Sequence, residues 1–398
     1  MTITRRSLIK SSAMLAGATM VPSILSAQTR EWRVAASLPM TGPFATAGQL
    51  VAPSFAEFEA IVNDNGGIGG RPIRVEIEDS GYVPRNALAN FQRAQAAGEL
   101  HFYFGDSTGF MELVGPTLQG ASAVMMGSTS FASSLANRAH RPFQFMAGPT
   151  YEDQFEILLK DIAAKGGKTV AFVYSDTEFG RDPLAHGRQV AEELGIQVVL
   201  EEVTRAEGAD IESHVTRLAQ VNPEYAILQG YVTGVWPQLI GGARAFGLTT
   251  QFMGTFWGME KIIADRVTEQ AGPFLDGYQG VMPYRYFYDQ ADAPFYRAMA
   301  DFKRSRNPAF PGYVSTWELE ARLSLELWKE SMERVINADQ QVTPDNLMAA
   351  LNGIQDWDSG GFFGNPASVV NNKIGQGRVY RYDASSKLFN PVSDWIQV

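Results

Sequence analysis

The segment Arg33-Val34-Ala35-Ala36-Ser37-Leu38-Pro39-Met40-Thr41-Gly42-Pro43 reads as a short apolar strand running into a Pro/Gly turn. Downstream, Leu50, Val51, Phe55, Phe58, Ile61 and Val62 recur at helical spacing, which predicts a helix over Ala47 to Asn63 with one buried face. Asn65-Gly66-Gly67-Ile68-Gly69-Gly70-Arg71 then stops it, because glycine enters left-handed backbone without steric cost. The alternating Arg74-Val75-Glu76-Ile77-Glu78 follows as a strand, then helix over Leu88 to Ala97, strand over Leu100 to Phe104, helix over Met111 to Gly120 and strand over Ala123 to Met126. Turn chemistry, helical period and strand pattern agree on a parallel α/β unit with a polar turn at the end of each strand, where such folds bind ligands.

A second series begins after Pro149-Thr150: helix Glu152 to Ala164, strand Thr169 to Tyr174, helix Arg181 to Leu194 and strand Gln197 to Val203. Asp210 is expected to cap a helix carrying Ile211, Val215 and Leu218 on one face, which Asn222-Pro223 ends. Strand Tyr225 to Gln229, helix Val235 to Phe246 and strand Gln251 to Gly254 close the series, so two similar halves join near Gly148. After Gly277 come an aromatic run (Tyr284, Tyr286, Phe287, Tyr288), helices over Val314 to Val335 and Pro344 to Asn352, and short β pieces such as Arg378 to Tyr382.

At the N-terminus, Thr4-Arg5-Arg6-Ser7-Leu8-Ile9-Lys10 precedes a weakly apolar run from Ser11 to Leu25 that ends in Ser26-Ala27. It reads as a twin-arginine export signal over residues 1–27, so the mature chain is expected to be soluble and exported. Losing Arg5, Arg6 and Lys10 takes the net charge from −10 to −13, which argues against nucleic acid or an anionic membrane surface as partner. With no cysteine, thiol catalysis and thiolate metal sites are excluded.

No residue set for catalysis emerges, so a non-enzyme without cofactor or metal is expected. The Gly66 to Gly70 cluster closes a helix and opens a strand, the reverse of a phosphate loop. The two Asp-Ser-Gly copies, at Asp79 and Asp358, read as turns, because α/β alternation contradicts the all-β fold that paired catalytic aspartates would need. His101, His140, His186 and His214 are scattered. What remain are two strand-end turns, Gly105-Asp106-Ser107-Thr108-Gly109 and Gly127-Ser128-Thr129-Ser130, whose hydroxyls and backbone N–H groups suit a carboxylate.

The order of motifs resembles the periplasmic substrate-binding proteins of the branched-chain amino acid type that serve ABC importers. The resemblance rests on Ser37-Leu38-Pro39-Met40-Thr41-Gly42, Asn65 to Arg71, Glu78-Asp79-Ser80, Gly105 to Gly109, Ser128-Thr129, Glu178-Phe179-Gly180, Gly230-Tyr231 and Gln251-Phe252-Met253-Gly254. It implies a type I periplasmic binding protein fold, with two lobes, each a mostly parallel sheet flanked by helices, joined by a multi-strand hinge. Residues 31–147 plus about 278–355 would form one lobe, and 148–277 plus about 356–398 the other. By the same resemblance a monomer captures a small molecule between its lobes in the periplasm and delivers it to an inner-membrane permease. Ser107, Thr108, Ser128 and Thr129 would hold the ligand carboxylate, Phe44 would pack on the ligand, and Phe179, Tyr231, Phe256 and Trp257 would close from the second lobe.

One departure shapes the expected ligand. Amino-acid binders of this family usually carry an acidic residue in the turn matching Thr255-Phe256-Trp257, where it pairs with the ligand ammonium, and this chain has none there. A buried ammonium without a partner costs several kcal/mol. The expected ligand is therefore an aromatic or branched acid, keto acid or hydroxy acid without an α-ammonium. Asp106 leaves open an amino acid, amide or urea as the alternative, and a ligand-sensing regulator on the same fold is the reading from another class.

Overall fold

Strand β1 (Trp32–Leu38) is buried at every position except Arg33, because it lies inside a parallel sheet. Its neighbours are β2 (Ile73–Asp79) and β3 (Phe102–Gly105), with β4 (Met126–Ser128) beyond β3, giving the order β2-β1-β3-β4 in the computed structural model. The alternation in Arg74 to Glu78 belongs to an edge strand, and the continuous apolar run of β1 to a strand covered on both faces. Residues 31–206, 208, 210–289 and 293–398 are described; the export signal expected over residues 1–27 lies outside them.

The helix expected over Ala47 to Asn63 is two helices, α1 (Ala45–Val51) and α2 (Pro53–Asp64). Pro53 has no N–H to give to the preceding turn, so it opens a new helix at the first position, where that loss costs nothing. Gly67 has φ of +78°, and a Cβ there would lie 2.0 Å from the carbonyl oxygen of Arg71, so the glycine cluster is a tight turn between α2 and β2. Helix α3 (Pro84–Ala96) packs on β1, and α4 (Thr108–Val114) ends before Gly115-Pro116, well short of the expected Gly120.

The second sheet is built from β5 (Thr169–Ser175), β6 (Gln197–Thr204), β7 (Tyr225–Gln229), β8 (Gln251–Gly254) and β9 (Gln279–Met282), parallel throughout in the order β6-β5-β7-β8-β9. Antiparallel β10 (Gln376–Asp383) and β11 (Leu388–Pro391) extend it, and β12 (Ile396–Gln397) pairs with β10. Its helices are α5 (Tyr151–Ala164), α6 (Glu178–Arg181), α7 (Leu184–Glu193), α8 (Ile211–Val221), α9 (Val235–Ala245) and α10 (Lys261–Ala271). Asp210 does not cap α8 with its side chain; it sits in left-handed backbone at φ of +70° with no such bond. Strand β9 pairs with β8 through Gln279 and Gly280.

The chain then returns to the first lobe. Helices α11 (Pro294–Arg306), α12 (Thr316–Asn337) and α13 (Pro344–Asn352) gather around α1 and α2, with Lys303 of α11 paired to Glu57 of α2 and to Glu318 of α12. Among the described residues no helix is long and apolar enough to cross a membrane.

Two carboxylates tie the lobes together. Asp182, after α6, accepts the backbone N–H of Ser133 at 3.1 Å and its hydroxyl at 3.0 Å across the cleft. Glu260, buried ahead of α10, accepts Ile262 N–H at 2.8 Å with one oxygen. With the other it takes the Ser315 hydroxyl, the Thr316 N–H and the Thr316 hydroxyl, each at 2.7 Å. A single side chain thus caps α10 in one lobe and holds the Ser315 cap and the first N–H of α12 in the other.

Burial holds Asp182 up at about 7, against the opposing Ser133 donors, with Glu152 and Glu112 adding to the rise. A carboxyl whose folded pKa lies above its unfolded value stabilises the fold fully below about pH 3.8, and that contribution is lost as pH rises through about 7. The thermal midpoint therefore falls between about pH 4 and 7, and Asp182→Asn makes this fall shallower in a calorimetric pH series. Glu260→Gln sets an amide N–H₂ against existing donors and is expected to destabilise by ~2–4 kcal/mol in urea titration.

Candidate ligand cleft

The C-terminal ends of the two parallel sheets face each other, and between them lies a cavity with about 550 Å³ of atom-free space, part of it open to solvent. Phe44, Tyr82, Asp106, Ser107, Thr108, Thr129 and Ser130 reach it from the first lobe, and Tyr151, Phe179, Val232, Thr233 and Trp257 from the second. Each sits in or just beyond a strand-end turn or a helix start, as the doubly wound topology dictates.

The walls are aromatic. The Phe44 ring lies 4.1 Å from Tyr82, stacks on Tyr231 at 5.4 Å and meets Phe179 edge-on at 6.4 Å, so it bridges the lobes. Phe179 in turn contacts Tyr151 at 5.0 Å, and Trp257 donates its indole N–H to the Tyr151 hydroxyl at 3.1 Å. The turn carrying Phe44 is pinned by Asp79, whose carboxylate accepts N–H groups from Met40, Thr41 and Gly81 and the Thr41 hydroxyl. These donors outweigh the slight burial and hold its pKa below the usual range.

The hydroxyls of Ser107, Thr108 and Ser130 make contacts within the protein, whereas those of Tyr82, Thr129, Tyr151 and Thr233 donate to no protein group among the described residues. Ser107 accepts Phe110 N–H at 3.2 Å, capping α4, and donates to Asp106 at 2.9 Å. Thr108 and Ser130 share one proton at 2.7 Å, while Ser130 also accepts Ala132 N–H, so whichever donates, the other's O–H remains for a ligand. The Thr129 side chain lines the cavity, but its N–H is spent on Gly105. Asp106 is 2% exposed and accepts the hydroxyls of Ser80 and Ser107; burial pushes its pKa up to about 6 against those bonds. Among the described residues no lysine, arginine or histidine lines the cavity.

Three residues expected to touch the ligand stand one layer behind. Ser128 is fully buried and accepts Ser130 N–H at 2.8 Å, shaping the turn. Tyr231 donates to Asp176 at 2.8 Å and backs Phe44. Phe256 packs against Phe131, Tyr284 and Trp257, and its N–H is held by Gln154. Sequence reasoning missed Tyr82, Tyr151, Ser130, Val232 and Thr233. Tyr82 closes the turn after β2 in left-handed backbone, and Ser130 directly follows a chosen residue, so both were within reach of a strand-end search. Tyr151 opens α5 as one more buried aromatic, and nothing local distinguishes it from a core residue.

With this geometry in view, the comparisons with known proteins are informative. A sequence model of the periplasmic binding protein family matches residues 31–387. The Leu/Ile/Val-binding protein of Escherichia coli K12 is 24% identical over 358 residues, covering 89% of this chain and 95% of its own. A branched-chain amino acid ABC transporter structure from Thermus thermophilus with bound valine superposes with a TM-score of 0.83 at 19% identity, over 93% of this chain and 97% of that one. A solute-binding protein of an ABC transporter from Rhodopseudomonas palustris BisB5, in complex with 3,4-dihydroxybenzoic acid, gives 0.75 at 17% identity, over 92% and 97%. The two-lobed α/β architecture, the cleft at the strand ends and the match along nearly the whole described chain converge, and the protein belongs to the periplasmic binding protein family.

Proposed function

We propose that this chain is the periplasmic substrate-binding protein of an ABC importer. Acting as a monomer, it closes on a small carboxylic acid with an aromatic or branched body and presents it to the permease. The observation that carries the ligand class is the inventory of the cavity: aromatic walls, hydroxyl donors on Tyr82, Thr129, Tyr151 and Thr233 without a protein acceptor, and Phe256 buried where amino-acid binders of the family place a carboxylate for the ammonium. The relatives named for branched-chain amino acids and the neighbour holding a dihydroxybenzoic acid are consistent with either kind of guest.

Asp106 supplies the discriminating chemistry. A ligand carboxylate beside it raises its pKa further, as a like charge does, so the complex takes up a proton and Asp106 turns from acceptor to donor. A second reading, an amino acid or amide, is favoured by the same residue in its ionised form, which would pair with an ammonium.

The two readings give opposite pH dependence. In calorimetry between about pH 5.5 and 8, benzoate or 4-methyl-2-oxopentanoate should bind more tightly as pH falls, by up to about tenfold per unit above pH 6, with proton uptake. Asp106→Asn should flatten that profile while keeping the acids bound. Leucine binding that weakens at low pH, with no acid bound, would replace the first reading by the second.

A further inference from the structure

Beyond Trp257 lies a second cavity in the second lobe, with about 350 Å³ of atom-free space, part of it open to solvent. It shares Val232 and Trp257 with the ligand cleft, so these two side chains form the partition between the spaces. Its other walls are apolar, chiefly Trp236 and Ile240 of α9 and Ala264 of α10. Tyr278 also lines it, 5% exposed, and its hydroxyl has no hydrogen-bond partner among the described residues. A buried hydroxyl left unsatisfied is costly, and an acceptor brought by a ligand would offset that cost.

The placement of that hydroxyl links it to the cleft. A Cβ on Gly254 would lie 1.9 Å from the Tyr278 oxygen and one on Gly258 2.5 Å from it, so the phenol tip fills the space that side chains would take at both ends of the turn carrying Trp257. The remaining polar group, Glu260, has both carboxylate oxygens engaged by Ile262, Ser315 and Thr316. It has no donor to offer and would repel a second carboxylate.

From this pair of adjoining spaces we infer that the ligand is elongated: its carboxylate stays in the cleft and its neutral apolar tail passes the Trp257 partition into the side cavity. There an oxygen on the tail accepts the Tyr278 hydroxyl. This rests on the acid reading above and narrows it to monocarboxylic acids of the arylalkanoic kind, with ring hydroxyl or methoxy groups welcome and dicarboxylic acids excluded.

The test compares benzoate, 3-phenylpropionate and 3-(4-hydroxyphenyl)propionate by calorimetry on the wild type and two variants. In the wild type the longer acids should bind about tenfold tighter than benzoate, the gain that two further buried methylenes bring. Ala264→Leu, which fills the side cavity from α10, should erase that advantage and leave benzoate unchanged. Tyr278→Phe should cost the hydroxylated acid about two- to tenfold and leave the other two as they were. Long acids that bind no tighter than benzoate, or an Ala264→Leu variant that weakens all three equally, would overturn the inference while leaving the acid reading intact. A wild type that binds leucine and none of the acids would overturn both.

Discussion

The arrangement of this protein hinges on one buried carboxylate. Glu260 brings a charged group into a fully desolvated position, where burial raises its pKa despite the donors around it. Such a position is tolerated only while its donors stay in place, because losing one leaves an uncompensated acceptor in a low-dielectric interior. The donors come from both lobes: Ile262 in the second, Ser315 and Thr316 at the start of α12 in the first. The turn from Phe256 to Met259, immediately before Glu260, is therefore fixed to α12 and not only to its own sheet. Trp257 extends the connection by packing on Trp317, two residues beyond the Ser315 cap, at 5.5 Å. The wall of the ligand cleft in one lobe is thus mounted on a helix of the other.

The polar groups of the first-lobe turns are partly spent on those turns: Ser107, Ser128 and the Thr129 backbone bond within them, and one hydroxyl of the Thr108–Ser130 pair is left over beside those of Tyr82, Thr129, Tyr151 and Thr233. A cleft of this kind draws affinity from apolar burial and ring contacts, and uses its few polar groups to orient and discriminate. The rings that do this work belong to both lobes, since Phe44 meets Phe179 and Tyr231. A guest that wedges Phe44 away from those partners loses contacts that closure otherwise gains.

The strands and the turns at their ends were legible because their signals are local: β7 and β8 fall on the residues expected, and the turns after β1, β3 and β4 do line the cleft. What escaped has equally physical reasons. Helix α10 buries only Ala264, so it has almost no apolar stripe to read. Strand β9 is four residues long and contains Gly280, which lies against the Gly254 carbonyl where a side chain would clash. Pro53 was hidden inside an otherwise continuous helical pattern. The Asp182–Ser133 and Glu260–Thr316 contacts join residues 49 and 56 positions apart, and no periodicity reports on them. Ser128, Tyr231 and Phe256 were placed in the right turns, but whether a turn residue faces the cleft or its own core is decided by packing across the lobes.

Phe256 shows what this means for specificity. The absence of an acidic residue at the end of β8 is not a simple vacancy. The position is filled by a ring in contact with Phe131 and Tyr284, and its backbone N–H is fixed by Gln154 from α5. A carboxylate introduced there would be desolvated among aromatic rings, with no cation nearby in the cavity lining, and would be driven to its neutral form instead of serving an ammonium. The turn serves as apolar support for Trp257. The carboxyl group that lines the cleft is Asp106 on the opposite lobe, where the Ser80 and Ser107 hydroxyls flank it and burial raises its pKa.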